Sequence, residues 1–364
     1  MLKHLVMSKR KFKIMFVVPS LKAGGLERVA SELSSFWSEN QHAIVELVTL
    51  DSKPPFYVLE AGVRLHQSPP IADKLGGWKK AVVLYRWLPK VARKICPDVI
   101  LSFGEGINAF VLWRLGRIKV PMFVGNRTTP ISSLKGVRGA INPIFYRRAT
   151  KVILQTEKAR EILKAKYKRS DFHVIPNPIK QFKISANYNK KRIVTVGSLG
   201  GEKNQLVLIK MFQDLSKTFN DWELHIVGEG PNRELLENYV NENSLGNKVS
   251  FLGNRNDLAP VFESSSIFAF TSRLEGFPNA LGEAMSAGLA VISFDCLTGP
   301  AELIRNNQNG ILVELDNVQE YQTHLSMLMQ SSTIRKELGE KACEDMKQLN
   351  IEHIAHRFLN LFQR

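Results

Sequence analysis

The chain has 364 residues, of which 44% are hydrophobic and 23% charged, so it is globular in composition and long enough for two domains with complete cores. Its apolar runs are too short to cross a bilayer, and residues 1–13 are basic without the long apolar segment of a signal peptide. The three cysteines are isolated, which excludes a disulfide framework and a cysteine metal site and favours a reducing cytoplasm.

The net charge of +16 is unevenly placed along the chain. Residues 1–185 hold 33 Lys and Arg against 12 Asp and Glu, whereas residues 186–364 hold 17 against 22. A basic half joined to a slightly acidic half indicates that one half meets a polyanion. Nucleic acid, an anionic membrane and a pyrophosphate-bearing acceptor are the candidates.

Strands alternate with helices through the first half. The apolar pattern predicts strands at 12–18, 43–50, 99–103, 122–125, 152–155 and 172–175, and helices after Gly25 and at 78–95, 107–115 and 157–167. This alternation predicts a parallel sheet with helices on both faces. The loop at Gly24 and Gly25 joins a strand to a helix and is a potential phosphate site, although it lacks the spacing of a dinucleotide fingerprint.

The helix predicted at 78–95 has two stripes and no acidic residue. Its apolar stripe comprises Ala81, Leu84, Tyr85, Leu88 and Ala92, and its basic stripe comprises Lys79, Arg86, Lys90 and Arg93. The basic stripe is either a solvated face or a surface for anionic lipid headgroups or the pyrophosphate of an acceptor.

A polar segment, Gly125-Asn126-Arg127-Thr128-Thr129, follows the strand at 122–125. It should lie at the carboxyl edge of the sheet, where ligands of such folds bind. Arg127 is therefore a candidate for contact with an acceptor or a phosphate.

A stiff break at Ile175-Pro176-Asn177-Pro178-Ile179 separates the halves. It predicts a first domain at 1–180 and a second at 186–349. In the second half we expect strands at 192–197, 222–227, 249–253, 267–270, 290–294 and 311–315, and a helical tail from Asn317 whose last helix, 350–364, is amphipathic.

The most informative stretch runs from Thr271 to Gly288. A buried strand leads into a glycine turn, and Pro278 is expected in the first turn of a helix that ends near Gly288. Free amides at the start of that helix predict an anion site. Glu275 and Glu283 flank this site, and as carboxylates they suit the hydroxyls of a sugar and a ribose rather than a phosphate.

This string resembles the signature of the retaining glycosyltransferases of glycosyltransferase family 4, in which two Glu residues are separated by seven positions. The match includes Glu275-Gly-Phe-Pro-Asn-Ala-Leu-Gly-Glu283 and continues through Gly299-Pro300-Ala301-Glu302. Gly24-Gly25-Leu26-Glu27-Arg28 is similar to the amino-terminal segment of that family. The resemblance implies an α/β fold of the GT-B type, with two Rossmann-like parallel-sheet domains facing across a cleft and the last helix returning to the first domain.

The resemblance also implies roles for individual residues. Lys203, Glu275 and Arg127 are the expected catalytic residues, and the expected donor-binding residues are Gly25, Ser198, Lys203, Gly228, Asn254, Arg255, Arg273, Glu275, Gly276, Phe277, Pro278, Asn279 and Glu283. Ser198 occupies the position at which the family has an Arg that clamps the donor diphosphate. Arg273 and Arg127 are possible substitutes for that cation.

The function implied is transfer, with retention, of a hexose or N-acetylhexosamine from a nucleotide diphosphate sugar, expected to be a UDP-sugar. The expected acceptor is a polyprenyl-pyrophosphate-linked glycan in cell-surface polysaccharide or glycoprotein-glycan assembly. No metal or other cofactor is expected, and the protein should be cytoplasmic and peripheral at the inner face of the membrane. The alternatives are a GT-B epimerase or hydrolase of nucleotide sugars and a non-enzymatic polyanion-binding protein. Nucleic acid is not expected, because aromatic residues do not interleave with the basic runs.

Overall fold

The computed structural model describes residues 11–22, 24–134, 136–167, 171–184 and 186–363. Most of the segment in which we expect no signal peptide, residues 1–13, lies outside these ranges. Within them, no helix combines the length and the apolar character that a membrane span requires.

The first sheet has seven parallel strands in the order β3-β2-β1-β4-β5-β6-β7. Its strands are β1 (Lys13–Val18), β2 (Ile44–Thr49), β3 (Arg64–Gln67), β4 (Val99–Phe103), β5 (Met122–Gly125), β6 (Lys151–Leu154) and β7 (Phe172–Val174). The central strand β1 is buried from Ile14 to Val18, as a continuous apolar run should be when helices cover both faces. Strand order reverses direction between β1 and β4, which makes this the switch point of the sheet.

The helices that follow in the first half are α1 (Gly25–Glu39), α2 (Ile71–Lys74), α3 (Gly77–Ile95), α4 (Glu105–Leu115), α5 (Pro130–Leu134), α6 (Gly136–Phe145), the 3₁₀ helix η1 (Tyr146–Arg148) and α7 (Glu157–Tyr167). The final helix of the chain, α15 (Ile351–Phe362), packs against α1. Trp37 of α1 donates its indole N–H to the carbonyl of Ala355 at 3.2 Å, and its ring centre lies 6.0 Å from those of Phe358 and Phe362. One compact unit accordingly comprises the described parts of residues 1–155, 160–175 and 354–364.

The second sheet has six parallel strands in the order β10-β9-β8-β11-β12-β13. They are β8 (Arg192–Val196), β9 (Glu223–Val227), β10 (Val249–Gly253), β11 (Ile267–Phe270), β12 (Ala290–Asp295) and β13 (Ile311–Glu314). Strand order reverses here between β8 and β11. Crevices at the carboxyl ends of strands beside such a reversal are the usual ligand sites of doubly wound sheets.

The helices of the second unit are the 3₁₀ helix η2 (Gly201–Lys203), α8 (Gln205–Leu215), α9 (Arg233–Glu242), α10 (Ala259–Glu263), α11 (Asn279–Ser286), α12 (Pro300–Leu303), α13 (Val318–Gln330), α14 (Ser332–Met346) and the 3₁₀ helix η3 (Lys347–Leu349). Its core is built around Phe212, Trp222, Phe294 and Tyr321, and the Tyr321 hydroxyl donates to the Ile292 carbonyl at 3.1 Å. The unit comprises residues 156–159 and the described parts of 176–353.

Two parallel α/β sheets confirm the predicted fold class, but several elements were not predicted. The edge strand β3 has only four residues and a polar sequence, so the apolar pattern does not predict it. Helix α6 contains Gly139 and Pro143, both of which lower helix propensity. The apolar stripe of α3 was partly wrong, since Leu84, Leu88 and Ala92 are buried whereas Ala81 and Tyr85 are exposed.

Candidate active site

Loops from adjacent strands converge at the carboxyl edge of the second sheet. At Gly228, which follows β9 with a φ of 137°, an added Cβ would lie 2.0 Å from the carbonyl oxygen of Gly197 after β8. An added Cβ at Gly230 would lie 2.5 Å from the carbonyl oxygen of Leu199. Position 228 therefore requires a glycine, both for its backbone conformation and for the close approach of the two loops.

A hydrogen bond from the loop after the neighbouring strand β11 holds Lys203 at this edge of the sheet. Lys203 ends η2, just before α8, and its carbonyl accepts a hydrogen bond of 3.1 Å from the Thr271 hydroxyl after β11. The Lys203 ammonium lies 2.5 Å from a carboxylate oxygen of Glu275 and 5.6 Å from the ring centre of Phe270. The Lys203–Glu275 ion pair thus bridges the loops after β8 and β11, at the reversal of strand order.

Glu275 is fixed from the other side by the loop after β12. Its side chain is 9% exposed, and its backbone carbonyl accepts a hydrogen bond from the Thr298 hydroxyl. Gly299 has a φ of 109°, and a Cβ there would lie 2.7 Å from Cδ of Pro278. Three consecutive loops of the sheet therefore hold a carboxylate beside an ammonium group in a position that packing largely determines.

The start of α11 differs in detail from the expectation. Pro278 precedes the helix instead of lying in its first turn, and the amide of Asn279 donates to the carbonyl of Phe277 at 3.0 Å. This amide is therefore already used, and a ligand would have to bind the amides that follow it. The side chain of Asn279 accepts a hydrogen bond of 2.9 Å from the Asn177 amide, and Glu283 is buried within α11.

The other predicted donor-binding residues have varied surroundings. Ser198, Asn254 and Arg255 are exposed, Gly276 is partly exposed in the turn, and Phe277 is buried. The Arg273 guanidinium lies 2.9 Å from Asp316, in a pair whose side chains are both about half exposed. Arg273, one of the two possible substitutes for the clamp Arg, is thus paired with a neighbouring carboxylate.

The carboxyl edge of the first sheet carries a buried polar network. The side-chain amide of Asn108 donates to the backbone carbonyl of Gly125 at 3.1 Å and to the Tyr146 hydroxyl at 3.1 Å. That hydroxyl donates to the side-chain Oδ1 of Asn126 at 2.7 Å. Burial holds the pKa of Tyr146 well above its usual range. The network fixes the loop after β5, in which Arg127 lies.

Arg127 is buried within the first unit. Its guanidinium lies 3.9 Å from the ring centre of Phe103 and 5.5 Å from that of Phe358, and it donates to the Ile175 carbonyl at 3.4 Å. Burial lowers the pKa of Arg127 to about 9, and the charge of Glu105 acts against this shift. With an exposure of 8%, the side chain is placed to support the edge of the sheet.

Gly25 and the basic stripe are the other predicted sites of the first unit. Gly25 begins α1 directly after Gly24, whose N–H and C=O both lie within hydrogen-bond distance of the Tyr57 hydroxyl. All members of the basic stripe on α3 are exposed: Lys79, Arg86, Lys90 and Arg93.

Sequence reasoning missed the residues that position the charged pair. Thr271 and Thr298 reach across to neighbouring loops, and Asn177 contacts the start of α11. Asn177 lies in the Pro-Asn-Pro segment that we used only to place a domain boundary. Within the described part of the chain, three or more His, Cys, Asp or Glu side chains are nowhere grouped as a metal site would need.

The fold is similar to that of solved structures. The chain superposes on TarM with a TM-score of 0.83 at 15% identity, with 98% of this chain and 99% of TarM covered. It superposes on Anabaena HepE, solved with UDP and glucose, with a TM-score of 0.80 at 16% identity, with coverages of 97% and 99%. These similarities define a two-domain GT-B fold.

Family models identify the two halves more closely. Residues 23–180 match Glycosyltransferase Family 4, and residues 177–345 match Glycosyl transferases group 1. The chain belongs to glycosyltransferase family 4 and is a glycosyltransferase.

Relatives along the whole chain are bacterial glycosyltransferases. The amylovoran biosynthesis glycosyltransferase AmsD of Erwinia amylovora is 26% identical over 95% of this chain and 98% of its own. A Campylobacter jejuni N-acetylgalactosaminyltransferase is 25% identical over 96% of this chain and 98% of its own. Its name specifies the acceptor GalNAc-α-(1→4)-GalNAc-α-(1→3)-diNAcBac-PP-undecaprenol. An uncharacterized glycosyltransferase of Haemophilus influenzae is 25% identical over 94% of this chain and 97% of its own.

Proposed function

We propose that the protein transfers a hexose or N-acetylhexosamine, with retention, from a UDP-sugar to a saccharide linked to polyprenyl pyrophosphate. The observation that carries this proposal is the Lys203–Glu275 pair at the reversal of strand order, directly beside the start of α11. The chemistry of the acceptor is supported by the Campylobacter jejuni relative, whose name specifies an undecaprenyl-diphosphate-linked glycan.

The charged pair suggests how a donor is received. Without donor, Lys203 and Glu275 neutralise each other in a largely buried setting. A diphosphate attracts the ammonium of Lys203, and the hydroxyls of the sugar replace Lys203 as hydrogen-bond partners of Glu275. Glu283, one turn into α11, is assigned to the ribose, and the loops at Gly228, Asn254 and Arg255 to the base.

Charge must develop on the diphosphate as the bond to the sugar breaks. Lys203 and the amino-terminal end of α11 stabilise that charge, as preorganised cations and helix amides do at other leaving groups. The acceptor hydroxyl attacks on the face from which the diphosphate departs, so the configuration at the anomeric carbon is kept. Arg127 then acts as a positioning residue at the edge of the first sheet, because its guanidinium is buried against Phe103.

The first unit is assigned to the acceptor and to the membrane. The basic stripe of α3 is exposed along its length and supplies positive charge for lipid phosphates or for the acceptor pyrophosphate. This assignment places the enzyme at the inner face of the membrane while it works on its lipid-linked acceptor.

The test is a donor screen with product analysis. The protein is given UDP- and GDP-sugars with a short-chain polyprenyl-pyrophosphate-linked glycan, and nucleotide release and the anomeric configuration of the product are measured. Lys203→Met should lower the rate of transfer by about 10²–10³-fold, the range seen when one transition-state donor is removed. Lys217→Met, which removes an exposed Lys on the same unit, is the matched control.

Three results would overturn parts of this proposal. Equal nucleotide release with and without acceptor would identify a hydrolase. An isomerised nucleotide sugar would identify an epimerase. Full transfer activity in Lys203→Met would remove the role assigned to Lys203.

A further inference from the structure

An apolar groove lies between α4 and α6 of the first unit. Its volume is ≈ 440 Å³, within the range of small-molecule pockets, and it is lined by Ala109, Phe110 and Trp113 on one side and Ile141 and Phe145 on the other. Trp113 is 49% exposed although its ring centre lies within 6.5 Å of those of Phe110 and Phe145. A groove of this kind leaves large aromatic surfaces in contact with solvent, which is unusual unless something binds there.

A second pocket, of ≈ 220 Å³, adjoins the groove and shares Trp113 with it. Arg114, Arg117 and Arg148 are among the residues that line it. The Arg114 guanidinium stacks 4.0 Å from the ring centre of Tyr85, and its Nε donates to the Tyr85 carbonyl at 2.6 Å. The aromatic ring therefore holds a cation beside the apolar groove, an arrangement that suits an amphiphile with a phosphate headgroup.

The segments around the groove carry an excess of positive charge. Residues 106–156 contain nine Lys and Arg and no Asp or Glu. Residues 74–97 contain seven Lys and Arg and likewise no Asp or Glu. Glu105 also lines the groove, but it is buried, and its carboxylate accepts a hydrogen bond from the Thr128 backbone amide at 2.9 Å. Trp78 is exposed on α3 beside the basic stripe, and Trp side chains are common at membrane interfaces.

We propose that this groove binds one anionic glycerophospholipid from the bilayer, with an acyl chain between α4 and α6 and the phosphate among the three arginines. The proposal rests on the proposed function only in placing the enzyme at a membrane. Each buried methylene of the chain adds to the affinity, and guanidinium groups bind phosphate oxygens bidentately. A free phosphate ion would leave the groove empty, and a neutral lipid would leave the arginines without a counter-charge.

The experiment measures the binding of monomeric short-chain lipids to the full chain by calorimetry, without nucleotide sugar. Dihexanoyl phosphatidylglycerol should bind with a stoichiometry of one, and about tenfold more tightly than dihexanoyl phosphatidylcholine or inorganic phosphate. Arg148→Gln and Ile141→Glu should each weaken this binding by about tenfold or more. The matched controls are Arg147→Gln and Ile144→Glu, which change exposed neighbours outside the two pockets and should leave the affinity unchanged.

Several results would overturn the proposal. Equal affinity for the phosphatidylcholine lipid would show that the headgroup charge is not recognised. Equal affinity for inorganic phosphate would show that the acyl chain of the lipid is not recognised. Equal losses in Arg147→Gln and Arg148→Gln would show a diffuse basic surface instead of a site. Tighter binding of farnesyl diphosphate would assign the groove to a polyprenyl carrier. Because no donor is present, none of these results bears on glycosyl transfer itself.

Discussion

Glu275 is a buried carboxylate whose ammonium partner comes from a different loop. Variants of the two residues can therefore separate the contribution of this ion pair to protein stability from its contribution to activity. Its side chain is 9% exposed, and Lys203 is the cation beside it at 2.5 Å. Lys203→Met should leave a buried carboxylate without its counter-charge and lower the free energy of unfolding by about 1–3 kcal/mol. The double variant Lys203→Met/Glu275→Gln should regain most of that stability and remain inactive.

Denaturant unfolding of the two single variants and the double variant gives this coupling directly. Lys191→Met is the control, because Lys191 pairs with Asp221 on the surface of the same unit, where both side chains are about half exposed, and its removal should change little. If the double variant were as unstable as Lys203→Met, the charge of Glu275 would not be the cause of the loss.

Gly228 allows two loops of the site to touch, and this makes it sensitive to a single methyl group. Its φ of 137° disfavours any side chain, and an added Cβ would lie 2.0 Å from the Gly197 carbonyl oxygen. Gly228→Ala should therefore cost at least about 2 kcal/mol of unfolding free energy or push the loops apart. Gly201→Ala is the matched control, because nothing lies within 4 Å of the position of its added Cβ. Equal midpoints of unfolding for the two variants would contradict the close contact.

At the scale of elements, the helix α15 completes the first unit although it ends the chain. Phe358 is fully buried, and its ring centre lies 6.0 Å from those of Trp37 and Phe103. Phe358→Ala should remove about 3–5 kcal/mol of stability, as truncation of a buried aromatic ring does. The unfolding of the first unit should then occur at lower denaturant concentration than that of the second.

Asn360→Ala provides the comparison for this prediction, because Asn360 is exposed on the same helix. Proteolysis in mild denaturant can report which unit is cut first. A Phe358→Ala protein in which residues 186–349 are cut before the first unit would show that α15 does not stabilise the first unit.

The contrast between α11 and α6 shows which elements could be predicted. The strand, turn and helix around Glu275 are encoded within twenty consecutive residues, and the structure places β11 at Ile267–Phe270 and α11 at Asn279–Ser286. Helix α6 carries a Gly and a Pro in a sequence without charged pairs, and its position depends on packing against α4. The groove between these helices was therefore invisible in the sequence.

The same limit applies to contacts within the candidate site. Lys203 and Glu275 could be named from their motifs, but the hydrogen bonds from Thr271 and Thr298 join segments that are far apart in sequence or lie on different strands. The burial of Arg127 beside Phe103 and Phe358 likewise depends on a helix more than 200 residues away. Motifs identify which groups are present, whereas tertiary packing decides what each group faces.

At the scale of the whole molecule, the difference in charge between the halves predicts which surface approaches a membrane. Charge-neutralising changes on α3, Lys79→Gln/Arg86→Gln/Lys90→Gln/Arg93→Gln, remove four positive charges from the basic half. A matched variant, Lys210→Gln/Lys217→Gln/Lys336→Gln/Lys341→Gln, removes four from exposed sites on the second unit. Both variants have the same net charge, so only the position of the lost charge differs.

Binding to vesicles of phosphatidylglycerol and phosphatidylcholine, measured by co-sedimentation across a salt series, should separate the two variants. Each Lys or Arg near an anionic surface contributes up to about 1 kcal/mol, so the α3 variant should lose about tenfold or more in partitioning and show a weaker dependence on salt. The second-unit variant should bind as the parent protein does, because its lost charges face no lipid. Equal losses in the two variants would mean that the net charge, and not the face carrying α3, determines the attraction to the bilayer.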